Sequence, residues 1–332
     1  MAGDVADVVA ASALFQDLTP EEITDLAAGL TMRRFAPGEA LMIQGGDSDG
    51  AFVLAAGVVR VTAALPGGGE TTIAELGAGD LVGEMALLMR GGKRTATARA
   101  VEAVDALHAD RRYFEATLHM LKPSSLKVLR RLGVMTAQRL RAIRDRSRSL
   151  VDQAHDGDLF RRAPEPDDRS SDSFRVRDFL TILPCLEDFE APDLDTMFKA
   201  ASVVEVSRGA VLGEEGAAGH ICRLVVRGAL MLCHRSADRV HQLDILGPGR
   251  FAGIGPLLDE RPVGASVVAA ENTTLLSFPA ETFMGWWLGG DTFALRVLDA
   301  VNADLVRSLD TASRHLTRLT AQERVREFAE SG

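Results

Sequence analysis

The sequence predicts an α+β protein made of two similar halves, each a small antiparallel β-barrel or roll with helices before and after it. Three observations predict this. First, six glycines recur at one offset, give or take a single deletion: Gly38, Gly45 and Gly57 return as Gly209, Gly216 and Gly228, 171 positions on, and Gly77, Gly79 and Gly83 return as Gly247, Gly249 and Gly253, 170 positions on. Glycine marks turns and left-handed backbone, so shared glycines imply a shared series of turns. Second, the segments between them are short and apolar or β-branched: ALMIQ, GAFVLAA and VVRVTAA, then ICRLVV and ALMLCH. Third, each half ends in a long stretch with apolar and small residues at alternating spacings of three and four.

Each half opens with a helix. FQDLTPEEITDL (15–26) and LEDFEAPDLDTM (186–197) share their apolar spacing and early acids. Thr19-Pro20-Glu21-Glu22 supplies an N-cap, a proline in the first turn and carboxylates matched to the helix dipole. The strands follow, and their length and even spacing suit a closed or rolled antiparallel sheet. From Pro123 the first long helix carries Leu126, Leu129, Gly133, Thr136, Leu140, Ile143, Ser147 and Leu150. The second carries Leu298, Asn302, Leu305, Leu309, Ala312, Leu316 and Leu319 on the same period, with Asn302 as the kind of seam residue that sets register. Both stripes read as pairing surfaces, either with each other in an intramolecular pseudo-dimer or between chains in a homodimer. The expected domains are 10–150 and 175–321. A polar, Asp- and Ser-rich linker, DGDLFRRAPEPDDRSSDS, lies within 151–174 between them.

Bulk composition narrows the function. The net charge of −10 argues against a general nucleic-acid binder. One basic run, Lys122 to Arg148, reads as the solvated face of a helix or as a contact for an acidic partner. The three cysteines, Cys185, Cys222 and Cys233, have no CxxC spacing and read as buried reduced thiols. No basic leader and no apolar run of membrane-spanning length occurs, so the expected location is cytoplasmic. The histidines are scattered, no HExxH occurs and no serine nucleophile sits in a GxSxG elbow; the protein is expected not to be an enzyme and to hold no metal or cofactor.

The chemistry concentrates in GEMALLMRGGKRTATA (83–98). A helical turn after Gly83 and Glu84 would aim free backbone N–H groups at an anion, and the small residues there admit a ligand closely. Arg94 supplies a cation for a phosphate oxygen, Thr95 a hydroxyl, and Glu84 an acceptor for a sugar hydroxyl. An acid for sugar and a cation for phosphate on one turn describe a nucleotide monophosphate pocket.

GE-x-ALL followed by RTA resembles the phosphate-binding cassette of cyclic nucleotide-binding domains. FQDLTPEE and the stretch from Pro37 to Val61 resemble the same family, so the likeness covers about residues 12–150. The ten-residue spacing from Glu84 to Arg94 resembles that of bacterial catabolite-activator-like proteins more than that of kinase regulatory subunits. The resemblance implies a jelly-roll-like β-barrel with cAMP or cGMP bound as ligand. It implies that Glu84 holds the ribose hydroxyl and Arg94 the cyclic phosphate, that Gly83, Met85 and Ala86 line the phosphate turn, and that Thr95 sits near phosphate and base. Arg141 and Arg144 fall where the family's base-capping lid residues lie. The short stretch after Leu319 leaves no room for a helix-turn-helix, so direct DNA binding is not expected.

The second half keeps the glycines and loses the anchors. Aligning Gly253 with Gly83 puts Ile254 at Glu84, Pro256 at Ala86 and Gly264 at Arg94. The expected function is therefore a cyclic nucleotide sensor that binds one nucleotide in its first half, signals through its long helix and acts on a protein effector. The alternative is a ligand-independent scaffold of two structural barrels.

Overall fold

Thr19 begins the first helix as expected. Its hydroxyl accepts from the Glu22 N–H at 3.3 Å while the Glu22 carboxylate accepts from the Thr19 N–H at 2.8 Å, a reciprocal cap for helix Pro20–Ala27. A computed structural model describes residues 5, 8–9, 12–64, 69–88, 93–153, 161–162, 176–236 and 239–330. Its backbone contacts divide the chain into two units. Unit 1 is Met1–Leu132 with Gly290–Leu295, and unit 2 is Gly133–Gly289 with Arg296–Gly332.

Unit 1 holds strands β1 (Leu30–Phe35), β2 (Ala40–Met42), β3 (Gly50–Ala56), β4 (Val59–Ala64), β5 (Glu70–Leu76), β6 (Leu81–Val82), β7 (Thr97–Ala100) and β8 (Val104–Asp110). They form two antiparallel sheets, in orders β1-β8-β3-β6 and β2-β7-β4-β5. Alternating residues of both sheets meet in one core: Phe52 and Leu54 from one, Val59, Val61 and Ala98 from the other. Helix Arg111–His119 follows, capped by Asp110, whose carboxylate accepts from the Tyr113 N–H at 2.9 Å. The long helix Pro123–Gln153 then begins, and the basic residues around its start find partners inside the unit. Lys122 donates to Asp25 at 2.6 Å, Lys127 to Glu22 at 2.9 Å and Arg131 to the Ala13 carbonyl at 3.0 Å. Much of the basic run is thus spoken for within the chain.

Unit 2 repeats the plan. A two-residue strand β9 (Arg161–Arg162) falls inside the predicted linker, whose other residues from 156 to 173 lie outside the described set. Strands β10 (Ser202–Val206), β11 (Val211–Gly213), β12 (Ile221–Arg227), β13 (Leu230–Ser236), β14 (Arg239–Leu246), β15 (Phe251–Ala252), β16 (Ser266–Ala269) and β17 (Thr273–Pro279) build sheets β10-β17-β12-β15 and β11-β16-β13-β14-β9. The first four strands of each sheet correspond one for one with those of unit 1. Register is conserved as well: Gly50 opposes Asp110 in unit 1, and Ile221 opposes Pro279 in unit 2. Gly38, Gly45, Gly57, Gly79 and Gly83 and their five counterparts all have positive φ, which is why glycine recurs there.

Most of each helical stripe is buried, with Ile143, Leu150 and Leu316 half-buried. Within unit 2, Gly133 of the first long helix lies against Asn302 of helix Thr292–Glu330, and a side chain at 133 would run into the Asn302 Oδ1 and the Trp287 ring. The missing side chain is what lets these two helix backbones approach. The three cysteines are buried and free, and burial pushes the Cys233 thiol up to about 11 and the Cys185 thiol to about 12.

Two histidines of unit 2 make its stability depend on pH. Burial, with the positive charge of Arg148 adding to it, holds His234 down at about 4; burial and the neighbouring His241 do the same to His315. Both are neutral when folded, whereas in the unfolded chain they protonate near 6.5. Their contribution is complete above 6.5 and is lost as pH falls toward about 4, because only the unfolded state takes up the protons in that window. The unfolding midpoint is therefore expected to drop on acidification through the upper part of this window, above the carboxylate range. A flat midpoint in differential scanning calorimetry would disprove it.

Candidate functional site

The site in unit 1 grows from the turn after β6. Gly83 has φ +80°, a left-handed conformation, and a Cβ there would stand 2.5 Å from Arg94 Nη1 and 3.2 Å from Met42 Sδ. The left-handed backbone favours glycine, and any side chain there would have to displace the Arg94 guanidinium. Helix Met85–Leu88 follows directly, with the Leu87 N–H donating to the Glu84 carbonyl at 2.9 Å.

Arg94 reaches back to this turn. It is 6% exposed, its Nη2 donates to Asp49 Oδ1 at 2.9 Å, and its Nη1 donates to the Gly83 carbonyl at 3.4 Å. Burial pulls the guanidinium's pKa down, and the charges of Asp49 and then Glu84 oppose that pull. The Asp49 carboxylate itself is 61% exposed. A buried cation is thus held by an acid that faces water, an arrangement in which an incoming anion can replace the acid. The Thr95 hydroxyl, exposed, donates to Met85 Sδ at 3.3 Å. Ala86 falls in helix Met85–Leu88, and its side chain lies outside the described set.

The structure therefore gathers Gly83, Glu84, Met85, Arg94 and Thr95 in one place. Arg141 and Arg144 belong to unit 2, where they line a cavity of that unit. Two residues escaped the sequence reading. Asp49 is the partner of Arg94, and His108, buried on β8, lies with its Nε2 3.6 Å from Asp49 Oδ2. Burial first, then the charge of Arg33, holds that imidazole below its usual range. One signal could have found Asp49: 171 positions on stands His220, so the acid disappears from the second half together with Glu84 and Arg94.

The backbone corrects one assignment. The Arg94 N–H donates to the Gly46 carbonyl at 2.9 Å and its carbonyl accepts from the Gly45 N–H at 2.8 Å; Val263 makes the same two bonds, at 2.8 Å each, with Ala217 and Gly216. Val263, not Gly264, occupies the place of Arg94. A single deletion between Gly253 and β16 shifts the register, and an alignment anchored at Gly253 cannot locate it. The conclusion about chemistry stands: Ile254, 4% exposed, replaces Glu84, and an apolar side chain replaces Arg94.

Among the described residues no cluster of His, Cys, Asp or Glu could hold a metal, and no helix is long and apolar enough to cross a membrane. Comparison with known proteins matches the cyclic nucleotide-binding domain family twice, at residues 32–120 and 203–286, together more than half of the chain. The cyclic AMP receptor protein of Thermus thermophilus is 39% identical over 131 residues, 39% of this chain and 58% of that protein. Glutaminase 1 of Bradyrhizobium diazoefficiens is 34% identical over 127 residues, 38% of this chain and 20% of that protein. The chain thus spans little more than half of the first relative and a fifth of the second. Among solved structures, the regulatory domain of Toxoplasma gondii PKA with cAMP aligns over 92% of this chain and 95% of its own, at 17% identity and a TM-score of 0.33.

Proposed function

This chain belongs to the cyclic nucleotide-binding domain family, and we propose that it is a sensor whose first unit binds cAMP or cGMP between Glu84 and Arg94. One observation carries the reading: the 6%-exposed guanidinium of Arg94 is held at the Gly83 turn by a hydrogen bond to a water-facing acid, Asp49. The cyclic phosphate takes the place of Asp49 on Arg94, where a charge-assisted pair in a buried setting is strong. Gly83, Met85 and Ala86 line the phosphate turn. Glu84 accepts from the ribose hydroxyl, and the exposed Thr95 hydroxyl serves phosphate or base.

Binding then signals through the helix that starts at Pro123, which exchanges one packing partner for another and so alters a protein effector's contact. In this reading the protein is regulatory and performs no chemistry on the nucleotide. Its helix stripes pair within the chain or between two copies; size-exclusion chromatography with light scattering separates these, and a strict monomer rules out the homodimer.

Calorimetry with cAMP and with cGMP tests the proposal. No heat with either nucleotide favours the scaffold of two structural barrels instead. Asp49→Asn is expected to tighten nucleotide binding a few-fold, by about 1 kcal/mol or less, because it removes the competitor for Arg94 and the pair is partly solvent-screened. Weaker binding in that variant would show that Asp49 supports the ligand rather than competing with it.

A further inference from the structure

Unit 2 retains a cavity although it has lost the cassette's anchors. The cavity measures about 340 Å³ and lies wholly among unit 2 residues. Its walls are mainly apolar, with Leu212, Ile221, Leu232, Phe251, Ile254 and Val267 exposed to it. A ribose and a cyclic phosphate would find Ile254 and Val263 where unit 1 offers Glu84 and Arg94. The volume is in the range of small-molecule sites.

Cations enter this cavity from a different direction, the helix Pro123–Gln153. Arg141 is fully engaged: its Nε and Nη2 donate to the two oxygens of Asp259 at 2.5 and 2.9 Å, and its Nη1 to the Pro262 carbonyl at 2.9 Å. Arg250, behind the wall, pairs with Asp304 and donates to Ser308 Oγ at 2.8 Å. Arg223 has a carbonyl, that of Leu212 at 3.2 Å, and among the described residues no carboxylate partner. Arg144 is the exception. Its Nε is out of reach of solvent and has no hydrogen-bond partner. Burial pushes this guanidinium down to about 10, with Asp244 and Asp304 drawing it up and Arg250 and Arg141 pushing it down. Arg144 as a whole is half-buried, but a buried guanidinium N–H without an acceptor is costly, and one that borders an apolar cavity has room for a counter-ion.

We propose that the unit 2 cavity is a second ligand site, specific for an organic anion with an apolar body. The anionic group, a carboxylate or sulfonate, rests on Arg144 with Arg223 nearby, and the body lies against Ile254, Phe251 and Val267. It is a site of different chemistry from that proposed for unit 1, because Ile254 takes the place of Glu84 and the lining carboxylates Asp259 and Asp304 already hold Arg141 and Arg250.

The test uses the whole chain and two dyes with one ring skeleton. 8-Anilinonaphthalene-1-sulfonate carries the anion; N-phenyl-1-naphthylamine lacks it. The sulfonate is expected to bind saturably, one per chain, at least about tenfold more tightly than the neutral dye, as one charge-assisted hydrogen bond requires. Arg144→Met is expected to weaken the sulfonate about tenfold or more and leave the neutral dye unchanged, with Arg144→Lys restoring part of the loss. Arg94→Ala and added cAMP should change neither dye, which separates this site from the first. Equal binding of the two dyes to the wild type would overturn the proposal even if the Arg144 variants did not fold. So would displacement of the sulfonate by cAMP, or a folded Arg144→Met that binds it as well as the wild type.

Discussion

Arg94→Ala is expected to weaken cAMP binding by roughly 30-fold to several thousand-fold, the 2–5 kcal/mol that follows from removing one partner of a buried charge pair. The guanidinium is buried and already faces the turn at Gly83, so in the proposed complex it meets the phosphate away from water. The protein should remain folded. The acid that loses its partner, Asp49, is 61% exposed and returns to solvent without leaving a buried charge behind. Titration calorimetry and a thermal melt on the same preparation read both effects. Tight binding unchanged by the substitution would mean that the nucleotide sits elsewhere.

Gly83→Val is expected to damage the same site by another route. Valine must adopt φ near +80°, which costs an L-residue about 1–2 kcal/mol, and its Cβ would press on Arg94 Nη1 at 2.5 Å. The unfolding midpoint of unit 1 should fall, and the displaced guanidinium should lose most of its affinity for the nucleotide, about tenfold at the least. Gly253→Val is the control. Gly253 has φ +86°, and its Cβ would run into the Ile221 carbonyl, so that variant should destabilise unit 2 and leave the cAMP heat intact. Equal loss of cAMP binding in both variants would argue that the turns serve folding alone.

These expectations show what was legible and why. The repeat was legible because glycines at left-handed turns are chosen by local backbone sterics, and each one leaves a mark at its own position. The cap at Thr19 was legible for the same reason, since Thr19 and Glu22 are three residues apart. The acid and cation of the cassette, Glu84 and Arg94, stood out as a pattern within one short segment. Asp49 did not, because its meeting with Arg94 depends on β3 being placed beside the cassette 45 positions further along the chain.

Register was harder still. A one-residue deletion put Gly264 opposite Arg94 in the sequence, and only the backbone hydrogen bonds of Gly216 and Ala217 reassign that place to Val263. Arg141 and Arg144 fall in sequence where the family's lid residues lie, and in the fold Arg141 meets Asp259 and both line an apolar cavity of unit 2. The sequence by itself determined the duplication, the turns, the helix starts and the acid and cation, Glu84 and Arg94, that the second half lacks, all properties of neighbouring residues. Tertiary structure alone decided which acid holds Arg94 and where the helix arginines go. Those are contacts between residues far apart in the chain, and no local preference specifies them.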